Sequence, residues 1–237
     1  MTVSIITVVF NGEDTLERTI KSIAAQTYPD IEYLIVDGQS ADRTLTIIQN
    51  NEAHITRWIS EPDKGLYDAM NKGLDMATGD YVWFMNAGDE IYAPDTLEKT
   101  MQLSPEADIY YGDTIITGPQ GNVIGERRLK PPRHATYKSL KHGMLISHQA
   151  FIARKQLTPY FNLNYRYSAD YDWMIQTMRK ASAIRYTERY LARFLDGGRT
   201  KQTIIPGLKE RFNIMSKHYG IVETTLRHFV IGIKFLY

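Results

Sequence analysis

The chain has 237 residues, 43% of them hydrophobic and 23% charged, with a formal net charge of +1. That is an ordinary globular composition, long enough for one sizeable domain with an appendage. With no cysteine, disulfides and thiolate metal sites are excluded. The first residues, "MTVSIITVVFNGEDT", lack a basic leader, so no signal peptide is expected there.

The small net charge hides an asymmetry. Residues 1–125 hold 7 Lys and Arg against 20 Asp and Glu; residues 126–237 hold 21 against 7. An acidic half suits a cation, and a basic half suits an anionic partner or a membrane surface. The alternative is that the two halves neutralise each other across an internal interface. No nucleic-acid partner is expected.

In chain order, "VSIITVVF" (3–10) is a β-branched run that predicts a strand. A helix should follow from Asn11 as cap, with Leu16, Ile20, Ile23 and Ala24 on one face. "IEYLIVDG" (31–38) predicts a second strand, and Ser40 the cap of a second helix. "HITRWIS" (54–60) reads as a short strand. "GLYDAMNKGLDMATG" places Leu66, Ala69, Met70 and Leu74 at helical spacing, with Gly79 as a stop. "DYVWFMN" predicts a fourth strand, broken by "AGDE". Such alternation implies an α/β fold around a parallel sheet, whose ligands gather beyond the C-terminal strand ends. Asn11, Asp37 and Asp89 all lie just past such ends.

Beyond residue 90 the pattern loosens. "DIYYGDTIITGPQGNVIGERR" predicts a hairpin across "GPQGN". "SADYDWMIQTMRKAS" predicts a helix from about Tyr171, with Trp173, Met174, Thr177 and Met178 on one stripe. "RFLDGGRTKQT" reads as a loop, and 207–237 as basic helix. The division expected is a domain at 1–205, in two halves at 1–90 and 91–205, with a basic amphipathic helical tail at 206–237.

Four segments in this order resemble the family 2 glycosyltransferases: "SIITVVFNGEDTLERTIKSIAAQTYPDIEYLIVDGQSADRT", "SEPDKGLYDAMNKGLDMATGDYVWFMNAGDE", "SHQAFIAR" and "YSADYDWMIQ". The phrase "DKGLYDAMNKG…NAGD" is most similar to bacterial enzymes of capsule, exopolysaccharide and O-antigen assembly. The resemblance implies the GT-A fold, Rossmann-like with helices on both faces of a mostly parallel sheet, plus a C-terminal helical region. It implies an inverting, metal-dependent enzyme that moves a hexose or N-acetylhexosamine from a UDP-sugar. The acceptor implied is a lipid-linked or oligosaccharide glycan, on the cytoplasmic side of the bacterial inner membrane.

The resemblance also assigns roles. Asp89 matches the family's metal-binding Asp, for Mn²⁺ or Mg²⁺; the preceding Asp is replaced by Gly88. Asp37 matches the Asp that meets the uracil edge. Thr7 and Phe10 belong to the strand end under the base; Phe10 can stack on it or be a core aromatic. Asp63, Lys64 and Gly65 stand where ribose and diphosphate are held, with Asn11 nearby, and Asp68 and Asn71 follow one turn apart. His148 and Gln149 match the acceptor-side "HQ", and Arg199 in "DGGRT" could reach the diphosphate. Asp170 matches the general base, its usual Glu partner replaced by Ala169; Asp172 is the alternative base, and a helix cap the alternative role.

Residues 201–237 carry 6 Lys and Arg against 2 Asp and Glu. "LRHFVIGIKFLY" suits an anionic bilayer surface, a seat on the catalytic domain, or a second subunit in a homo-oligomer. A catalytically silent sugar-nucleotide-binding or scaffold protein of the same fold is the rival reading.

Overall fold

The computed structural model describes residues 1–103, 107–197 and 204–236, with 204–205 and 229–236 as backbone only. The N-terminal half alternates strand and helix: β1 (Val3–Val9), α1 (Leu16–Ala24), β2 (Ile31–Asp37), α2 (Thr44–Asn50), β3 (Arg57–Ser60), α3 (Leu66–Met76) and β4 (Tyr81–Phe84). The order continues with β5 (Glu90–Ile91), α4 (Thr96–Leu103), β6 (Ile109–Thr117), β7 (Val123–Glu126), β8 (Phe151–Arg154), α5 (Ala169–Lys180), β9 (Ile184–Leu195), α6 (Ile204–Tyr219) and α7 (Ile221–Leu236).

One sheet runs β3-β2-β1-β4-β8-β6-β9-β5, with β7 paired to β6 as the expected hairpin. The strands from β3 to β4 are all parallel. At β8 the direction reverses, and only β6 and β9 are parallel in the far half. The central strands are buried along their whole length, as β-branched runs covered on both faces should be. One face packs Leu16, Ile20 and Ile23 of α1, Ile48 of α2, and Leu97 and Met101 of α4. The other packs Ala69, Met70 and Leu74 of α3 and Trp173, Met174 and Met178 of α5.

Several local expectations are corrected. Asn11 is not a helix cap: α1 begins at Leu16, and Asn11 sits at φ 50° with its Oδ1 accepting from Ala41 N. Ser40 does not cap α2 either; its hydroxyl is taken up between Asn11 N and Asp37, and Asp42 accepts from Thr44 N instead. Ala24 is exposed. Residues Arg193–Leu195 of the expected loop are the end of β9. The tail is not separate from residue 206: Ile214 and Met215 of α6 lie in the same core as α3 and α5. No helix among the described residues is long and apolar enough to cross a membrane.

Candidate functional site

Beyond the C-terminal ends of β1, β2 and β4 lies a crevice of about 480 Å³. Val8, Val9, Phe10, Asn11 and Gly12 form one wall, Gly38, Asp63, Gly65, Leu66 and Ala69 another, and Ala87 closes it. Phe10 is 56% exposed, so the core-aromatic alternative fails and a flat apolar ring stands free at the rim. Gly38 is the position the sequence reading passed over. A Cβ there would overlap the Asp63 carboxylate and touch Phe10, so any side chain at this position would push Asp63 out of its place in the wall. Asp63 also accepts from Gly65 N at 2.7 Å, and Gly65, at φ 117°, turns the chain into α3.

Other expected nucleotide contacts turn inward. Asp37 is fully buried; its carboxylate accepts from Ser40 N, Ser40 Oγ and Ser60 Oγ at 2.5–3.0 Å. It fixes the turn that carries Gly38 and does not face the crevice as the base contact expected of it. Thr7 is likewise buried, its hydroxyl donating to Met85 O at 2.8 Å and meeting Tyr33. Lys64 is exposed at the rim, and its backbone N–H donates to Asp68. Asp68 therefore ties down the first turn of α3. Asn71 pairs with both backbone groups of Phe161, away from the crevice. Arg199 lies outside the described residues.

The turn after β4 joins the two halves of the sheet. Asp89 is 5% exposed and accepts from Leu195 N at 3.0 Å and from Gln149 Nε2 at 2.7 Å. Burial pushes its carboxyl up to about 6, against the pull of those two donors. Asn86 donates to His148 Nε2 at 3.2 Å, while its own Oδ1 is buried without a partner. Among the described residues no three acidic, His or Cys side chains cluster as a cation cage. The turn nevertheless offers a hard cation the right atoms: an unpartnered amide oxygen and a carboxylate whose two oxygens each keep a second lone pair. It fits an ion shared with a diphosphate, not one held by protein alone.

Asp170 stands in the first turn of α5. Its Oδ2 accepts from His148 Nδ1 at 3.0 Å, and its Oδ1 from Tyr67 Oη at 3.1 Å and Tyr171 N at 2.9 Å. Burial opposes ionisation there, but His148, Arg211 and Tyr67 together hold the carboxyl below its ordinary value. With His148 donating from Nδ1, its Nε2 becomes the acceptor for Asn86, so a continuous relay runs from Asp170 to the turn after β4. Tyr67 reaches Asp170 from α3, between two residues that line the crevice. The alternative base, Asp172, is 1% exposed and turned away, bonded to His218 at 2.5 Å and to Gln176 at 2.7 Å. A helix start puts residues two apart on different faces, which is why Asp170 meets His148 and Tyr67 while Asp172 meets His218.

Tyr67 lies on the buried stripe of α3, three and seven residues before Met70 and Leu74, where it reads as core; the hydroxyl that a buried tyrosine must satisfy is the signal that could have found it.

The sequence profile of glycosyl transferase family 2 matches residues 4–158. A mycobacterial relative, described as a PGL/p-HBAD biosynthesis glycosyltransferase of Mycobacterium bovis, is 33% identical over 216 residues, covering 85% of this chain and 80% of its own. Among solved structures, S. aureus TarS 1-349 in complex with UDP-GlcNAc superposes with a TM-score of 0.73 at 19% identity, covering 91% of this chain and 64% of its own. Glucosyl-3-phosphoglycerate synthase from Mycobacterium tuberculosis, in complex with Mn²⁺, UDP and glucosyl-3-phosphoglycerate, superposes with a TM-score of 0.63 at 15% identity, covering 91% and 79%. At those identities the superpositions establish a common GT-A fold.

Proposed function

The chain belongs to glycosyl transferase family 2, and from that premise we propose that it moves a hexose or N-acetylhexosamine from a UDP-sugar, with inversion, onto a growing lipid-linked surface glycan. The observation that carries the reading is Asp170, a carboxylate held ionised by His148 at 3.0 Å and joined through Tyr67 and Asn86 to the walls of an open crevice. A general base needs a free lone pair and a pKa below the working pH; Oδ2 of Asp170 accepts from His148 and has a second lone pair to offer.

In this reading the nucleotide lies between Phe10 and Gly38, the ring stacking on uracil and Asp63 meeting the ribose. The acceptor hydroxyl attacks the anomeric carbon from the face opposite the diphosphate. Its proton passes to Asp170 Oδ2, the C1–O bond to the diphosphate breaks, and UDP leaves with the electron pair. Asp89 and Asn86 would hold a Mn²⁺ or Mg²⁺ ion against the diphosphate; when bound, it offsets the charge that develops on the leaving group. α7 would rest on the inner face of the bacterial membrane, where a lipid-linked acceptor is presented. Ile221, Val222 and Leu226 are more than 60% exposed on it.

A panel of sugar nucleotides assayed for slow donor hydrolysis tests the donor class, and proton NMR of the released sugar gives the anomer formed. Asp170→Asn should keep UDP binding and the melting temperature while transfer falls about 10²–10⁴-fold. Full transfer by Asp170→Asn, or hydrolysis confined to donors other than UDP-sugars, would overturn the corresponding part.

A further inference from the structure

The turn that carries Asp89 is gripped from behind by α1. Thr19 is fully buried, and its hydroxyl accepts from Gly88 N at 2.9 Å and donates to Asp89 O at 2.7 Å. Arg18, beside it, donates from one guanidinium nitrogen to Gly88 O at 2.8 Å. The other nitrogen donates at 2.9 Å to Pro119 O, at the tip of the hairpin between β6 and β7. The remaining backbone group of the two turn residues, Asp89 N–H, closes the turn on Asn86 O at 2.9 Å. All four backbone polar groups of Gly88 and Asp89 are therefore taken, three of them by two side chains that stand 69–70 residues earlier.

The grip matters because of what stands at the two ends of the turn. Asn86 Oδ1, buried without a partner, is at one end, and the Asp89 carboxylate is at the other. The backbone of Ala87 and Gly88 sets the angle between them. Gly88 sits at φ 103°, and a glycine has more conformations to lose on being fixed than any other residue. Left to solvent, such a turn would wander among backbone angles, whereas Mg²⁺ takes its oxygens only at about 2.0–2.1 Å in a nearly ideal octahedron. Fixing Gly88 from α1 removes that freedom before a ligand arrives. Further along the same face of α1, Ser22 bonds Ile91 N at 3.1 Å, and Gln26 bonds Ala93 O and Leu97 N at 2.8 and 3.1 Å. Those two side chains tie down residues beyond Asp89. Neither Arg18 nor Thr19 lines the crevice under Phe10 and Gly38, so any effect they have on a ligand there passes through the turn.

We propose that Thr19 and Arg18 are positioning residues of the transfer site, holding Gly88 so that Asn86 Oδ1 and the Asp89 carboxylate face one divalent cation shared with the diphosphate. The inference rests on the transferase reading above and adds to it two residues of α1 that act only through the turn.

The test measures Mn²⁺ bound by the full chain saturated with UDP, from the electron paramagnetic resonance signal of the free ion, with thermal unfolding followed alongside. Thr19→Val keeps the shape and removes both bonds. It should weaken Mn²⁺ binding about 10–100-fold, the usual cost of losing an outer partner of a metal ligand, while UDP binding without metal does not change. Thr19→Ser keeps the hydroxyl and should restore the affinity. Arg18→Met, which should lose Mn²⁺ affinity in the same direction, serves where Thr19→Val fails to fold. Ser22→Ala is the control: it removes a bond from the same face of α1 and should lower the melting temperature with Mn²⁺ affinity intact. Wild-type Mn²⁺ affinity in both Thr19→Val and Arg18→Met, or a loss that Ser22→Ala matches, would reduce the grip to a stabilising contact and overturn the proposal. A wild-type complex that holds no Mn²⁺ overturns it together with the metal part of the transferase reading, so which protein fails tells the two failures apart.

Discussion

At the residue scale, exposure separates groups that serve a ligand from groups that serve the fold. Phe10→Ala removes a ring that is 56% exposed and belongs to neither core cluster. Unfolding should be unchanged within about 0.5 kcal/mol, while UDP affinity should fall by the roughly 1–3 kcal/mol of a base stacked on an aromatic ring; calorimetry on UDP alone reads both. Asp89 is the opposite case. Its carboxyl is raised to about 6 from an ordinary 3.8, so the folded state binds its proton more tightly than the unfolded state does. Its contribution is fully present below about pH 4 and is lost as pH rises through about 6, a swing of about 3 kcal/mol. Asp89→Asn should flatten that slope in denaturant titrations between pH 4 and pH 7 without metal or donor. Parallel curves for the two proteins would show that the buried carboxyl does not titrate as its surroundings demand.

At the scale of elements, α6 holds the start of α5 in place. Three backbone N–H groups ahead of Asp170 end on Glu210 at 2.7–3.0 Å, and His218 closes on Asp172. Glu210→Gln keeps one oxygen and loses the charge, so it should cost about 1.5–3 kcal/mol of stability and lower kcat with UDP affinity intact. A loss of stability with kcat unchanged would make the clasp purely structural. What could be read from the residues alone follows the same lines. β1, β2, β4 and α3 declared themselves because buried runs and a 3.6-residue stripe are local signals. β8 has only Phe151, Ile152 and Ala153 before Arg154 breaks the run, and β9 carries Arg185, Glu188, Arg189 and Arg193 along a half-exposed strand, so neither stands out as a long apolar run. The ligand role of Asp37 comes from the family resemblance; a carboxylate after a strand has no local mark of who will bond it. Its partner Ser60 stands 23 residues away. The bond between His148 Nδ1 and Asp170, 22 residues apart, likewise needed the fold.

At the scale of the molecule, the acidic and basic halves neutralise each other in part: Arg154–Asp108 and Lys130–Asp113 cross the divide. Positive charge remains on the last helices, where Ile221, Val222 and Leu226 are 62–71% exposed. If that face meets a bilayer, the full chain should sediment with vesicles containing anionic lipid, less so as salt rises, and Val222→Asp with Leu226→Asp should abolish sedimentation while leaving the fold intact. Equal sedimentation of the doubly substituted chain would point to another surface.

The bonds from Glu210 to the peptide groups before α5 also order events in time. Ser168 and Glu210 are 42 residues apart in the chain. During synthesis, at about 5–20 residues per second, the parallel half of the sheet and the crevice under Phe10 can take shape while α6 is still being made. The start of α5, and with it Asp170, cannot be pinned until Glu210 has emerged and α6 has docked. On the proposed function, a nascent chain therefore gains the means to hold a sugar nucleotide several seconds before it gains the means to spend one.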